Sequence, residues 1–168
     1  MTQHTAPQPD AQLLADLLAA CRTRGWMIAT AESCTGGLLG AALTDLPGAS
    51  AIFERGYITY TNTAKQHDLG VPAETLERFG AVSEETARAM ATGARRAADA
   101  DLAVAITGIA GPGGSDHKPE GRVCFALATR AGPTVSETVD FGPLGRAAVR
   151  AAARDHALRM LARAAQTA

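Results

Sequence analysis

Ser33 and Cys34 place a hydroxyl and a thiol side by side, directly after the apolar run 26–31 and before two glycines. An apolar-periodic segment follows, so the pattern predicts a strand, a tight turn and a helix. The first N–H groups of a helix lack partners within the helix and favour negative charge. We therefore expect this turn to present a nucleophile beside donors suited to an anion or an oxyanion. The alternative interpretation is a structural turn in which residues 35–37 only cap the helix.

Lys65 is the residue best suited to act as the base for such a nucleophile. It follows the β-rich run 51–61 and falls in the first turn of a predicted helix. A positive charge at a helix N-terminus is unfavourable, which lowers the pKa of the amine, and burial would likewise favour its neutral form. The alternative is an exposed, solvated lysine.

A second glycine-rich stretch, at 107–115, reads TGIAGPGGS and follows another short apolar run. Glycines allow backbone N–H groups to approach a phosphate or a carboxylate closely. The stretch lacks the Gly-Lys-Ser/Thr of a phosphate-binding loop, which argues against a nucleoside triphosphatase, and no long helix begins there as in a dinucleotide fingerprint. The alternative is a flexible surface loop.

The elements that must position these residues follow from hydrophobic periodicity. Helices are predicted over 10–24, 35–45, 63–69, 72–79, 83–98 and 145–164, and strands over 26–31, 51–61, 102–107, 123–129 and 135–139. Strands and helices alternate early, whereas two strands adjoin late. This order predicts an α/β fold, a layered α/β/α single domain with a mixed β-sheet over 10–166, preceded by a disordered extension at 1–9. Both glycine turns should then meet at the carboxyl edge of the sheet.

Composition narrows the classes of function. The formal net charge is −1 and no run is rich in lysine or arginine, which argues against a nucleic-acid surface. The three cysteines are scattered, so we expect neither a disulfide framework nor a metal site. No segment is apolar enough to span a bilayer and the N-terminus does not resemble a signal peptide. A protein of the cytoplasm, without a membrane partner, is expected.

Five short motifs occur in a characteristic order: AESCTGG at 31–37, PGAS at 47–50, GYITY at 56–60, TGIAGPGG at 107–114 and KPEG at 118–121. Together they resemble the CinA C-terminal domain family, the nicotinamide-nucleotide amidases, over roughly residues 12–165. Because the sequence shows no N-terminal CinA partner domain, it is similar to the stand-alone form of the amidase.

The resemblance implies hydrolysis of the carboxamide of nicotinamide mononucleotide to nicotinate mononucleotide and ammonia, in NAD recycling. It implies a serine–lysine mechanism that needs neither a metal nor a cofactor. Ser33 matches the family's serine, Lys65 its lysine and Tyr60 the neighbouring tyrosine. Ser50 matches another serine of the family and is a second candidate for the nucleophile or for a proton relay.

For substrate binding, the chemistry of the residues predicts two backbone sites and one cation. The oxyanion would be held by N–H groups of Thr35, Gly36 and Gly37. The 5′-phosphate would be cradled by the second glycine stretch, namely Thr107, Gly108, Gly111, Gly113 and Gly114. Arg146, or Arg150 one turn later, would supply charge across a dimer contact. Glu120 stands where the family usually has valine.

The partner implied is therefore a small molecule, and the oligomer a homodimer. The competing hypothesis is a non-catalytic pyridine-nucleotide-binding module linked to competence or DNA damage.

Overall fold

The computed structural model describes residues 7–115 and 117–167. The strands are β1 (Ile28–Glu32), β2 (Phe53–Ile58), β3 (Leu102–Gly108), β4 (Arg122–Thr129) and β5 (Val135–Asp140). The helices are α1 (Ala11–Arg24), α2 (Leu38–Thr44), α3 (Asn62–Leu69), α4 (Ala73–Phe79), α5 (Glu84–Ala98) and α6 (Arg146–Thr167), with a 3-10 turn at Ala49–Ala51. Residues 1–6, which hold most of the predicted extension, lie outside the described residues, so the boundary at residue 10 stays a prediction.

The sheet is mixed, with the strand order β2-β1-β3-β4-β5. β1 pairs in parallel with both β2 and β3, whereas β4 and β5 pair antiparallel with their neighbours. The predicted fold class is therefore confirmed. Because β1 and β3 are adjacent and parallel, both glycine-rich stretches emerge side by side at the carboxyl edge of the sheet, where the Ser33 N–H donates to the Ile106 carbonyl at 2.9 Å.

The two faces of the sheet carry side chains of different size. Ile28, Val104 and Phe125 belong to the core beneath α1, α2 and α6, whereas the alternate positions of the same strands are mostly alanines. Successive side chains of a strand point to opposite faces, so this alternation separates a bulky core from a thin one. The thin core allows α5, which is itself rich in buried alanine, to lie close to the sheet.

Helix α3, which carries Lys65, is fixed at both ends. Thr61 caps its N-terminus by accepting the Ala64 N–H at 3.1 Å, and Gly70, at φ 65°, ends it. At its last turn α3 lies against α5 so closely that a Cβ on Gly93 would come within 1.9 Å of the Leu69 carbonyl oxygen. The lysine is thus placed by a cap and by a close helix contact.

Two predicted boundaries are wrong at the site. Helix α2 begins at Leu38 rather than at residue 35, because Gly36 and Gly37 take positive φ values of 56° and 102°. β2 ends at Ile58, so Tyr60 lies beyond the strand in which it was predicted. None of the helices in the described part of the chain is long and apolar enough to cross a bilayer.

Candidate active site

Ser33 and Lys65 meet at the carboxyl edge of the sheet. The Lys65 Nζ lies 3.0 Å from the Ser33 Oγ, 2.7 Å from the Thr59 carbonyl oxygen and 3.3 Å from that of Tyr60. Lys65 is fully buried and Ser33 retains 8% of its exposure. The amine is therefore surrounded by one hydroxyl and two backbone carbonyls, none of which carries a charge.

Burial lowers the pKa of Lys65 from 10.5 to about 8. The sequence predicted this direction from burial and from the helix N-terminus, and the leading cause in the structure is burial, through the loss of water around the ammonium. Without a carboxylate among its three acceptors, little offsets that loss. Near neutral pH, an appreciable fraction of the lysine is therefore a neutral base.

Cys34, the other candidate nucleophile, lies in the protein interior. Its side chain is 4% exposed, and burial raises the pKa of the thiol to about 11. The thiolate is the reactive form of cysteine, so this thiol is a weak nucleophile at neutral pH. Of the two neighbours, the geometry favours Ser33.

Glu32 occupies the N-terminus of α2 and was missed by sequence reasoning. Its carboxylate accepts the N–H groups of Gly37 at 3.0 Å, Leu39 at 3.1 Å and Gly40 at 2.9 Å, and the residue is 1% exposed. A buried carboxylate is stabilised by such bonds and by the positive end of the helix. It was not found because it caps from the preceding strand, outside the usual capping spacing.

The prediction that Thr35, Gly36 and Gly37 supply oxyanion donors is therefore only partly compatible with the structure. The Gly37 N–H is held by Glu32, and the Gly36 N–H donates to the Ser33 carbonyl at 3.0 Å. By contrast, the N–H groups of Cys34 and Thr35 have no acceptor within residues 7–115 and 117–167. The turn thus retains two backbone donors without an acceptor among the described residues, on the two residues that follow Ser33. The Thr35 hydroxyl caps nothing there, since it too lacks a partner in the described chain.

Arg150 of α6 contacts the same turn. Its Nε donates to the Cys34 carbonyl and its Nη2 to the Thr35 carbonyl, each at 3.0 Å. The sequence proposed Arg150 only as an alternative ligand for a phosphate, yet two of its donors are engaged with the backbone.

Arg146, one turn earlier in α6, hydrogen-bonds both to the second glycine stretch and to Tyr60, whose carbonyl lies near Lys65. Its Nη1 donates to the Gly111 carbonyl at 2.9 Å and its Nη2 to the Tyr60 hydroxyl at 2.8 Å. The carbonyl of that same Tyr60 faces Lys65. Arg146, Tyr60 and Gly111 are thus assembled with Lys65 on one chain, and the guanidinium is exposed to solvent.

The second glycine stretch already contains a carboxylate. Glu120 accepts the Gly113 N–H at 2.7 Å and the Gly145 N–H at 3.3 Å, and it packs where a Cβ on Gly111 would lie 2.4 Å from its Cδ. A carboxylate there would repel a phosphate. The Gly113 N–H is thus already engaged, which argues against the prediction that Gly113 cradles the 5′-phosphate.

The remaining predicted members of that stretch have structural contacts. The Thr107 hydroxyl is buried and donates to the Ala81 carbonyl at 2.7 Å. A Cβ on Gly108 would lie 2.7 Å from the Val123 side chain, and one on Gly114 would lie 2.4 Å from the Lys118 carbonyl oxygen. These glycines permit close backbone approach.

Ser50 lies at the opposite edge of the sheet. It belongs to the 3-10 turn that precedes β2. The first residue of β2, Phe53, pairs with Ile28 at the start of β1. The length of β1 separates that edge from Ser33, about 16 Å at 3.3 Å per residue. Within one chain the structure does not bring Ser50 to Lys65, so this geometry gives no support to the prediction of Ser50 as second nucleophile.

A serine paired with a buried lysine beside unpartnered backbone N–H groups, on a mixed α/β sheet, is the arrangement that a serine–lysine hydrolase would require. In the described residues no group of three or more histidine, cysteine or acidic side chains is placed to hold a metal. The chain belongs to the CinA C-terminal domain family, whose model matches residues 10–165.

Similar proteins carry two kinds of name. The nicotinamide-nucleotide amidohydrolase PncC of Escherichia coli is 49% identical over 89% of this chain and 91% of its own length. A putative competence-damage inducible protein of Symbiobacterium thermophilum is 49% identical over 96% of this chain, which spans only 38% of that relative. The crystal structure of the competence/damage inducible protein CihA from Agrobacterium tumefaciens superposes with a TM-score of 0.86 at 48% identity, over 89% of this chain and 92% of that one.

Proposed function

We propose that this protein hydrolyses the carboxamide of nicotinamide mononucleotide to nicotinate mononucleotide and ammonia, a reaction of NAD recycling. The names of the full-length relatives support the substrate. The observation that carries the chemistry is the 3.0 Å contact between the Ser33 hydroxyl and the buried Lys65 amine.

Neutral Lys65 has two N–H bonds and one lone pair. The carbonyls of Thr59 and Tyr60 accept the two N–H bonds, which leaves the lone pair facing the Ser33 hydroxyl. The Ser33 proton then passes to Lys65 while the Oγ forms a bond to the carboxamide carbon. The electron pair of the C=O bond moves to its oxygen, and the free N–H groups of Cys34 and Thr35 stabilise that oxyanion.

Collapse of this intermediate breaks the C–N bond. The ammonium of Lys65 returns its proton to the leaving nitrogen, ammonia departs, and the nicotinoyl group remains as an ester on Ser33. Water then attacks the ester carbon and gives a proton to Lys65. Cleavage of the ester bond returns that proton to the Ser33 oxygen and releases nicotinate mononucleotide.

Arg146 is the residue we propose for the 5′-phosphate. Its guanidinium is exposed, is oriented by Tyr60 and Gly111, and lies at the mouth of the site. The Gly113 N–H already donates to Glu120, which argues against that role for this backbone group. A homodimer and a location in the cytoplasm stay predictions from the sequence.

The test is ammonia release from nicotinamide mononucleotide by the purified protein and by Ser33→Ala, Ser50→Ala and Lys65→Ala variants. We expect Ser33→Ala and Lys65→Ala to lose at least about 1,000-fold in kcat, while Ser50→Ala keeps wild-type activity. Mass spectrometry of a quenched reaction should find the nicotinoyl mononucleotide ester on Ser33. Full turnover by Ser33→Ala would refute the assignment of the nucleophile.

The competing binding-module hypothesis makes the opposite prediction. Calorimetry would then show tight binding of the nucleotide to the wild type, without formation of ammonia. A buried lysine whose pKa is lowered destabilises the fold, and a protein that only binds has no use for it. This favours the enzyme.

A further inference from the structure

The residues 33–37, here termed the nucleophile turn, are held by two charged side chains that approach from different elements. Glu32 holds N–H groups at the C-terminal end of the turn and in α2. Arg150 holds the two carbonyls at its centre. Neither side chain hydrogen-bonds to Lys65 or to the Ser33 hydroxyl, so their convergence on one short turn calls for an explanation.

Peptide planarity supplies that explanation. In a trans peptide unit the carbonyl and the following N–H point in opposite directions. The Thr35 N–H shares its unit with the Cys34 carbonyl, which Arg150 holds, so this N–H points away from the guanidinium. The Cys34 N–H shares its unit with the Ser33 carbonyl, which the Gly36 N–H holds. Each free N–H is therefore the reverse side of a peptide unit whose carbonyl is fixed.

The remaining units of the turn are fixed in the same way. Arg150 also holds the Thr35 carbonyl, whose unit carries the Gly36 N–H that bonds to Ser33. Glu32 holds the Gly37 N–H, which ends the series. All peptide units from Ser33 to Gly37 thus have one end anchored, and only the N–H groups of Cys34 and Thr35 are left without an acceptor in the described chain.

We propose that Arg150 and Glu32 are positioning residues for the reaction, which hold the nucleophile turn so that the Cys34 and Thr35 N–H groups form the oxyanion hole for Ser33. The inference rests on the proposed function, because an oxyanion arises only in an acyl-transfer reaction. Preorganised donors stabilise a transition state because they need no reorientation as charge develops. Neither side chain is assigned a contact with the substrate.

The experiment compares wild type with Arg150→Ala, Arg150→Lys and Glu32→Gln. Arg159→Ala, which removes an exposed arginine of the same helix, is the matched control. Loss of one oxyanion donor typically costs about 100- to 1,000-fold in kcat, so we expect a displaced donor in Arg150→Ala to cost about 10- to 100-fold. The KM should stay within about threefold, since uniform substrate binding is untouched. Arg150→Lys should recover part of the loss, because an ammonium can reach one of the two carbonyls.

Glu32→Gln tests the other side of the turn. The amide of this variant keeps one oxygen that can accept N–H groups, but its NH2 group faces a backbone N–H and cannot accept a hydrogen bond from it. We therefore expect a loss of about tenfold in kcat. Guanidinium ion at millimolar concentration should raise the activity of Arg150→Ala and leave that of Glu32→Gln unchanged. Thermal melting verifies that each variant folds, and the Arg150 variants decide the matter if Glu32→Gln does not fold.

A second readout separates this inference from the proposed substrate. A fluorophosphonate forms a bond between phosphorus and the Ser33 Oγ, fluoride leaves, and the serine proton passes to Lys65, so its rate reports on the oxyanion hole without any nucleotide. Slower labelling of Arg150→Ala, alongside a wild type that is labelled but releases no ammonia, would support the positioning role and reject only the substrate. The inference is overturned if Arg150→Ala keeps wild-type kcat and labelling, if its KM alone rises, or if wild-type Ser33 is never labelled.

Discussion

Replacing Lys65 by methionine should change the stability of the protein by an amount that depends on pH. Burial holds the pKa of Lys65 at about 8 in the folded protein, whereas the unfolded chain has the ordinary value near 10.5. Below pH 8 the amine is charged in both states, and the folded state bears the full desolvation penalty. As the pH rises from 8 to 10.5 the folded protein has already lost its proton while the unfolded chain retains it, so stability increases.

The magnitude follows from the two pKa values. A shift of 2.5 units corresponds to about 3 kcal/mol at 1.36 kcal/mol per unit, and about 2.5 kcal/mol of it is recovered between pH 7 and pH 10. Methionine has a similar length and does not titrate. The difference in the free energy of unfolding between wild type and Lys65→Met should therefore move by about 2.5 kcal/mol in favour of the wild type over this range.

Urea denaturation at pH 7, 8, 9 and 10 measures this difference, because titrations elsewhere in the chain affect both proteins alike. With a slope near 2 kcal/mol per molar urea, the two midpoints should shift relative to each other by about 1 M. Any cost of the lost hydrogen bonds to Thr59 and Tyr60 adds a constant to the difference in the free energy of unfolding and does not change with pH. A difference that does not change with pH would refute the view that burial depresses this pKa.

The same pKa should govern the reaction. If neutral Lys65 is the base, kcat/KM should fall tenfold for each pH unit below about 8 and level off above it. A plateau that extends down to pH 6 would contradict a lysine base, whatever the stability data show.

Further predictions concern other residues of the site. Cys34→Ser should keep most of the activity, and iodoacetamide should not inactivate the folded wild type, because the thiol is buried and its pKa is about 11. Rapid inactivation of wild type but not of Cys34→Ser would reverse that conclusion. Arg146→Ala should raise the KM for nicotinamide mononucleotide about tenfold or more but not that for the riboside, which lacks the phosphate; equal effects on both would exclude a phosphate contact. Glu120→Gln should lower the KM for the mononucleotide about threefold by removing a like charge; an unchanged KM would place the phosphate elsewhere. Activity should survive dialysis against a chelator.

Much of the fold was predictable because its signals are local. Asp10 caps α1 and Gly25 ends it, as hydrophobic spacing and capping preferences indicate. The alternation of strands and helices predicted the mixed sheet, whereas the strand order could not be inferred, since it depends on which strands pair over long sequence distances. The predicted bounds of α2 and β2 were wrong because glycines and a 3-10 turn interrupt regular structure there.

The same distinction between local signals and long-range contacts applies to the candidate site. The order of the motifs singled out Ser33, Lys65 and Tyr60, and the structure assembles them on one edge. It separates Ser50 from them because parallel pairing of β1 and β2 puts the start and the end of β1 on opposite edges. Glu120 and Arg150 were visible in the sequence, but their contacts were not: the Gly113 N–H lies seven residues from Glu120, and the Cys34 carbonyl lies 116 residues from Arg150.

The sequence by itself determined the elements, the family and the chemical types available at the turn, because these depend on residue identity and on near neighbours. Only the tertiary structure decided which of the two neighbouring side chains, Ser33 or Cys34, meets the buried Lys65 amine and which backbone donors remain without an acceptor within the described residues. Burial shifts the pKa values of Lys65 and Cys34 in opposite directions, and burial is a property of the packed chain. Hydrogen bonds from Glu32 and Arg150, which approach from β1 and α6, leave the Cys34 and Thr35 N–H groups as the donors beside Ser33.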